Sequence, residues 1–244
     1  MNEKVRERLI FALDVDSFAV AEKWVRQLHD KVGVFKIGKQ LFTRCGPEVV
    51  KMARAVGGDI FLDLKYHDIP NTVAKAALEA ARLGVRMCNV HALGGRAMME
   101  TTVAEIDAHY PRGSAERPLL LAVTILTSSD EETLREVGID HPVDEMVVRL
   151  AKLAQSAGMD GVVASPREAA LIRAACGPDF VIVTPGVRPA CAALDDQNRV
   201  MTPAEAIVAG ADYLVIGRPI SAAADPAAAA DKILVEMAQG LRAS

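Results

Sequence analysis

The stretch Phe61 to Val73, FLDLKYHDIPNTV, sets Asp63, Lys65 and Asp68 within six positions, directly behind an apolar run. Residues i and i+2 of a strand face the same side, so Asp63 and Lys65 are expected to project together. Asp68 lies past the run and ahead of Pro70 and a helical stretch, where two readings stand. It either satisfies free amides at a helix start or adds a third charge to the set. Asp63 likewise serves as half of a structural ion pair or as a reacting group. Lys36 in FKIGK and Asp14 in LDV close two other apolar runs and favour the larger, alternating array.

A lysine in such a place has two chemistries. Imine formation needs a neutral amine, made by apolar surroundings or a neighbouring cation. Flanking carboxylates act the other way and favour the ammonium. An ammonium suits stabilising a developing negative charge and then protonating it. Lys36 could hold Asp63 ionised, since alternating signs let several charges share a confined site.

The elements that must position these groups are legible as eight short apolar runs: LIFALDV, GVFKIG, DIFLDLK, MCNVHA, LLLAVTIL, GVVAS, FVIVTPG and DYLVIG. Segments of helical periodicity separate them, among them AVAEKWVRQLHDKV and NTVAKAALEAARLGV, the latter stopped by Gly84. Strict alternation implies parallel pairing, and eight such units predict a (β/α)8 TIM barrel, one domain over residues 1–244. An open doubly wound sheet is the competing architecture, but no GxGxxG follows the first run and no GxxxxGK[ST] occurs. The polar residues fall at one end of the runs: Asp14, Lys36, Asp63 and Lys65, His91, Thr127, then Arg188 and Arg218 after the seventh and eighth. In a barrel of this kind that end carries the active site. TPGVRP and IGRPI pair glycine with arginine at the two loops that commonly take phosphate, with Pro219 suited to a first helical turn. A phosphate monoester is the expected ligand. A solvated loop side chain is the competing reading for each arginine, as a satisfied core histidine is for His91.

Composition narrows the classes further. The 244 residues are 51% hydrophobic and 25% charged, with a formal net charge of -4, which gives no electrostatic footprint for nucleic acid. Cys45, Cys88, Cys176 and Cys191 lack zinc-ligand spacing and read as reduced thiols of a cytoplasmic protein. The N-terminal apolar segment is short and ends on Asp14, and nothing reaches membrane-spanning length. The Ala-rich stretch from Ala222 continues through Ile233, Leu234 and Met237 as a packed helix.

DLKYHDIPNT resembles the DxKxxDIxxT motif of the orotidine 5'-monophosphate decarboxylase family, and the resemblance extends in order through LDV, FKIG, LTS, TPGVRP, DQNRVMTP and IGRPI. It implies a cofactor-free, metal-free decarboxylation of orotidine monophosphate to UMP, with a carbanion at C6 protonated by Lys65 and Asp63 near the departing carboxylate. It implies that Asp14 and Lys36 contact the ribose, that Thr127 contacts the pyrimidine, and that Arg188, Gln197, Gly217 and Arg218 serve the phosphate or a lid over it. It also implies a homodimer in which Asp68, Ile69 and Thr72 enter the partner's site. One departure stands out: RPACAALDDQ, from Arg188 to Gln197, carries Cys191 and no glycine where such a lid is expected to carry one or two.

Other readings compete. Metal-dependent sugar-phosphate decarboxylases and aldolases on related barrels share DxKxxD but use a Glu near the end of the second strand, where this chain has a lysine that cannot bind a divalent cation while protonated. An imine-forming aldolase conflicts with the flanking carboxylates. A non-catalytic phosphate sensor or structural dimer is expected to lose at least one of Lys36, Asp63, Lys65 and Asp68, and all four are present.

Overall fold

The computed structural model describes residues 3–189 and 201–243. Each apolar run forms a strand: β1 (Leu9–Ala12), β2 (Val34–Gly38), β3 (Asp59–Tyr66), β4 (Met87–His91), β5 (Leu119–Val123), β6 (Gly161–Val163), β7 (Val181–Pro185) and β8 (Tyr213–Ile216). They follow in sequence order around a closed barrel. This is the (β/α)8 fold expected from the alternation. Strands covered on both faces read as continuous apolar runs, and β1 is buried at every position.

Two compact units make up the chain, one of Met1–Leu64 with Gly186–Ser244 and one of Lys65–Pro185. In the first, β1 pairs in parallel with β2, setting Ala12 opposite Lys36, and with β8, setting Phe11 opposite Ile216. Phe11 packs edge-on to Phe35 at 6.3 Å and tilted against Trp24 at 5.7 Å. The Ala-rich segment is the helix Pro226–Ala243, which buries Ala230, Ile233, Leu234 and Met237 as the pattern predicts. It lies close enough to the helix Pro203–Val208 that a Cβ on Gly240 would stand 2.6 Å from the Ala204 carbonyl oxygen, so only glycine fits there.

In the second unit β4 through β7 pair in parallel, with His91 opposite Val123 and Val163 opposite Val183. The helix Pro70–Arg82 ends as expected at Gly84, which adopts φ 71° and donates its N–H to Ala81. At the start of β5, Arg117 bonds Asp107 at 2.7 Å and Asp160 at 2.8 Å, and Asp160 also accepts from the Leu120 amide. That network ties the N-terminal ends of β5 and β6, the end of a barrel strand associated with stability rather than chemistry.

Candidate active site

Lys36 sits on β2 with its side chain only 11% exposed, and its Nζ lies 2.9 Å from Asp14 Oδ1 and 3.5 Å from Asp63 Oδ2. β3 supplies Asp63 opposite Gly38 of β2, and Asp14 stands two residues past the end of β1. A buried carboxylate is unfavourable without a counter-charge, and Lys36 supplies one to Asp63. Asp14 is largely exposed at 66% and is the member of the trio open to a ligand. The small residues nearby have a spatial reason. A Cβ on Gly38 would approach Lys36 Nζ to 3.3 Å, and one on Gly217, after β8, would meet Ala12 at 3.3 Å and Asp14 Oδ2 at 3.9 Å.

Arg218 opens the short helix Arg218–Ser221 with Pro219 in its first turn, as anticipated, and its side chain is exposed. Arg188 follows β7, where Gly186 holds φ 80°, a left-handed conformation natural to glycine, and the Arg188 amide donates to Met201 O at 3.1 Å. Gln197 and Cys191 lie outside the described residues.

Lys65 departs from expectation. It adopts φ 51°, the only positive φ at a non-glycine residue among the described residues. The reading that strand alternation alone turns Asp63 and Lys65 to one face therefore needs correction, because the extended geometry on which alternation rests is lost at Lys65. A left-handed lysine costs about 1–3 kcal/mol and persists only where its surroundings enforce it. Its amide donates to the side-chain oxygen of Asn89 on β4 at 2.8 Å, and Asn89 is wholly buried. Asn89 was not singled out from sequence. The available signal was an amide inside the apolar run MCNVHA, since a buried amide must find a partner.

After Lys65 the chain turns toward the helix Pro70–Arg82. Ile69 caps this helix without a side-chain bond, and Asp68 Oδ1 accepts from the Ile69 amide at 2.6 Å. The helix-start reading of Asp68 is thereby amended: its carboxylate braces the residue before the helix. Asp68 and Thr72 are exposed, and Ile69 is 67% exposed, an unusual setting for an isoleucine. Thr127 lies exposed in a turn after β5. His91, half-buried at the end of β4, stacks tilted on His67 with ring centroids 5.6 Å apart. Burial pushes the Tyr66 phenol up to about 12, which keeps it protonated at neutral pH.

A closed parallel barrel in which the Lys36 ammonium of β2 lies between the carboxylates of Asp14, just past β1, and Asp63, on β3, defines a (β/α)8 barrel enzyme. Residues 7–233 match the family described as Orotidine 5'-phosphate decarboxylase / HUMPS. The chain is 67% identical over 238 residues to the orotidine 5'-phosphate decarboxylase of Syntrophotalea carbinolica, covering 98% of both. It is 66% identical to that of Geobacter sulfurreducens, covering 98% of this chain and 99% of the relative. Among solved structures, the orotidine 5'-phosphate decarboxylase of Lactobacillus acidophilus superposes with a TM-score of 0.82 at 42% identity, over 94% of this chain and 98% of that one. The chain belongs to the orotidine 5'-phosphate decarboxylase / HUMPS family.

Proposed function

We propose that this chain is a carboxy-lyase that converts orotidine 5'-monophosphate to UMP in pyrimidine biosynthesis. The observation that carries the reading is Lys36 bridging Asp14 and Asp63, inside a chain with near-complete likeness to named decarboxylases. In this reading the C6–carboxylate bond breaks, carbon dioxide leaves, and the electron pair stays on C6. The Lys65 ammonium stabilises that carbanion and then protonates it, leaving a neutral amine and UMP. Asp63, 3.5 Å from Lys36 Nζ, stands near the departing carboxylate. Asp14 and Lys36 hold the ribose hydroxyls, and Thr127 the pyrimidine. Arg188, Gln197, Gly217 and Arg218 serve the phosphate.

The working unit in this proposal is a homodimer in which Asp68, Ile69 and Thr72 complete the partner's site. The exposure of all three supports it, and an isoleucine 67% exposed gains most from being covered. The enzyme is assigned to the cytoplasm. Among the described residues, no helix is long and apolar enough to cross a membrane.

The test is the ultraviolet change on mixing EDTA-treated protein with orotidine 5'-monophosphate. Prompt formation of UMP is expected. No conversion, together with magnesium-dependent turnover of a sugar phosphate, would move the chain to the metal-dependent branch of related barrels.

Arg218→Ala is expected to weaken binding of UMP, read by calorimetry. Charge-assisted bonds of this kind contribute about 1.5–3 kcal/mol, so the loss should be roughly 10- to 100-fold. Unchanged affinity would reject Arg218 as a phosphate ligand.

A further inference from the structure

The backbone of Lys65 is held by a side chain that no motif of the sequence marks. We infer that Asn89 is a positioning residue for the proton donor: its buried amide oxygen fixes Lys65 in the left-handed conformation from which the ammonium projects. Three observations meet here. Lys65 is the one non-glycine residue with positive φ among the described residues. Its N–H, in a strand whose preceding residues Asp59 to Asp63 pair with β2, donates at 2.8 Å to a side chain, Asn89 Oδ1. Asn89 stands at 0% exposure between Cys88 and Val90, also at 0%, where an amide is unfavourable unless bonded.

The physical logic follows from where the bend falls. A strand residue in the extended region sends its amide into the ladder. Rotation about φ turns the Cα substituents of Lys65 relative to its own amide, so with that amide held by Asn89 Oδ1 at 2.8 Å the side chain leaves in the direction that φ 51° sets. Asparagine offers an acceptor oxygen of the right reach. Leucine has nearly the same volume but no acceptor, and the part-buried Lys65 amide would then lose this hydrogen bond. Lys65 would relax toward an ordinary strand conformation and its ammonium would move.

The inference rests on the reading of Lys65 as proton donor, and the experiment separates the two. Asn89→Leu, Asn89→Ala and Asn89→Asp are compared with the wild type and with Lys65→Ala. Steady-state turnover of orotidine 5'-monophosphate and calorimetric affinity for UMP are measured on each. Exchange of the Lys65 amide is followed by nuclear magnetic resonance in protein labelled with 15N-lysine. Asn89→Leu and Asn89→Ala should lower kcat by roughly 10- to 100-fold, the cost of misplacing a reacting group by about an ångström. KM and UMP affinity should stay within about twofold, because Asn89 is not proposed to touch the substrate. The Lys65 amide should lose its protection in both, and Asn89→Asp, which keeps an acceptor oxygen, should recover most of the turnover and the protection. Unchanged kcat in folded Asn89→Leu or Asn89→Ala overturns the inference, as does equal impairment of all three variants in kcat and UMP affinity. If neither apolar variant folds, an unprotected Lys65 amide in the wild type overturns it. Substantial turnover by Lys65→Ala rejects the donor reading instead, while the amide exchange still reports whether Asn89 holds the backbone.

Discussion

Lys65→Ala is expected to abolish turnover while the protein still folds and still binds UMP. Two losses combine in this one substitution. A positioned general acid contributes about 10²- to 10⁴-fold, and a preorganised charge facing a developing anion about 10²- to 10³-fold. The combined loss should be at least roughly 10⁴-fold in kcat, since both effects act only once charge builds on C6. UMP carries no charge at that carbon, so its affinity should change little. The measurement is single-turnover kinetics beside calorimetric binding. Turnover within tenfold of the wild type would remove Lys65 from the role of proton donor.

The second large effect is a gain. Lys65→Ala and Asp68→Ala chains should each be inactive as pure dimers, yet recover activity when mixed under conditions that exchange subunits. In a hybrid, one site carries both lesions and the other carries none, because Asp68 of the partner subunit completes the site that holds an intact Lys65. Random exchange of equal amounts should restore about a quarter of the wild-type sites, given a two-fold symmetric dimer. If Asp68 instead served its own chain's site, every site in every hybrid would carry one lesion. No recovery in hybrids verified by mass spectrometry would reject the shared site.

Much of this was legible in the sequence, and the exceptions have a common cause. All eight strands were visible because parallel strands covered on both faces leave apolar runs, and Gly84 marked the end of the helix Pro70–Arg82 because few other residues accept its conformation. Lys36 and Asp14 were legible as charges closing such runs, and the structure brings both to Asp63 or to each other. Lys65 was identified, but its backbone was not, because a left-handed lysine has no sequence signature and only tertiary contacts can enforce it. Asn89 carries no motif to mark it, because the group it satisfies is a backbone amide, present at every residue and therefore silent in the sequence. Asp68 was placed near the helix start, but position could not say that its carboxylate would brace Ile69.

The pairing of β1 with both β2 and β8 has a bearing on how copies of this chain can meet. An open sheet leaves a row of unsatisfied amides and carbonyls along its outer strands, a ready template for another chain to extend. Among the described residues, a barrel closed in the order β1 to β8 has no outer strand, so these eight strands offer no edge for strand addition. Self-association must then proceed through side chains on helices and connecting loops, which are set residue by residue. Fibril-like stacking through the sheet is closed off by the same geometry, for as long as the barrel stays shut.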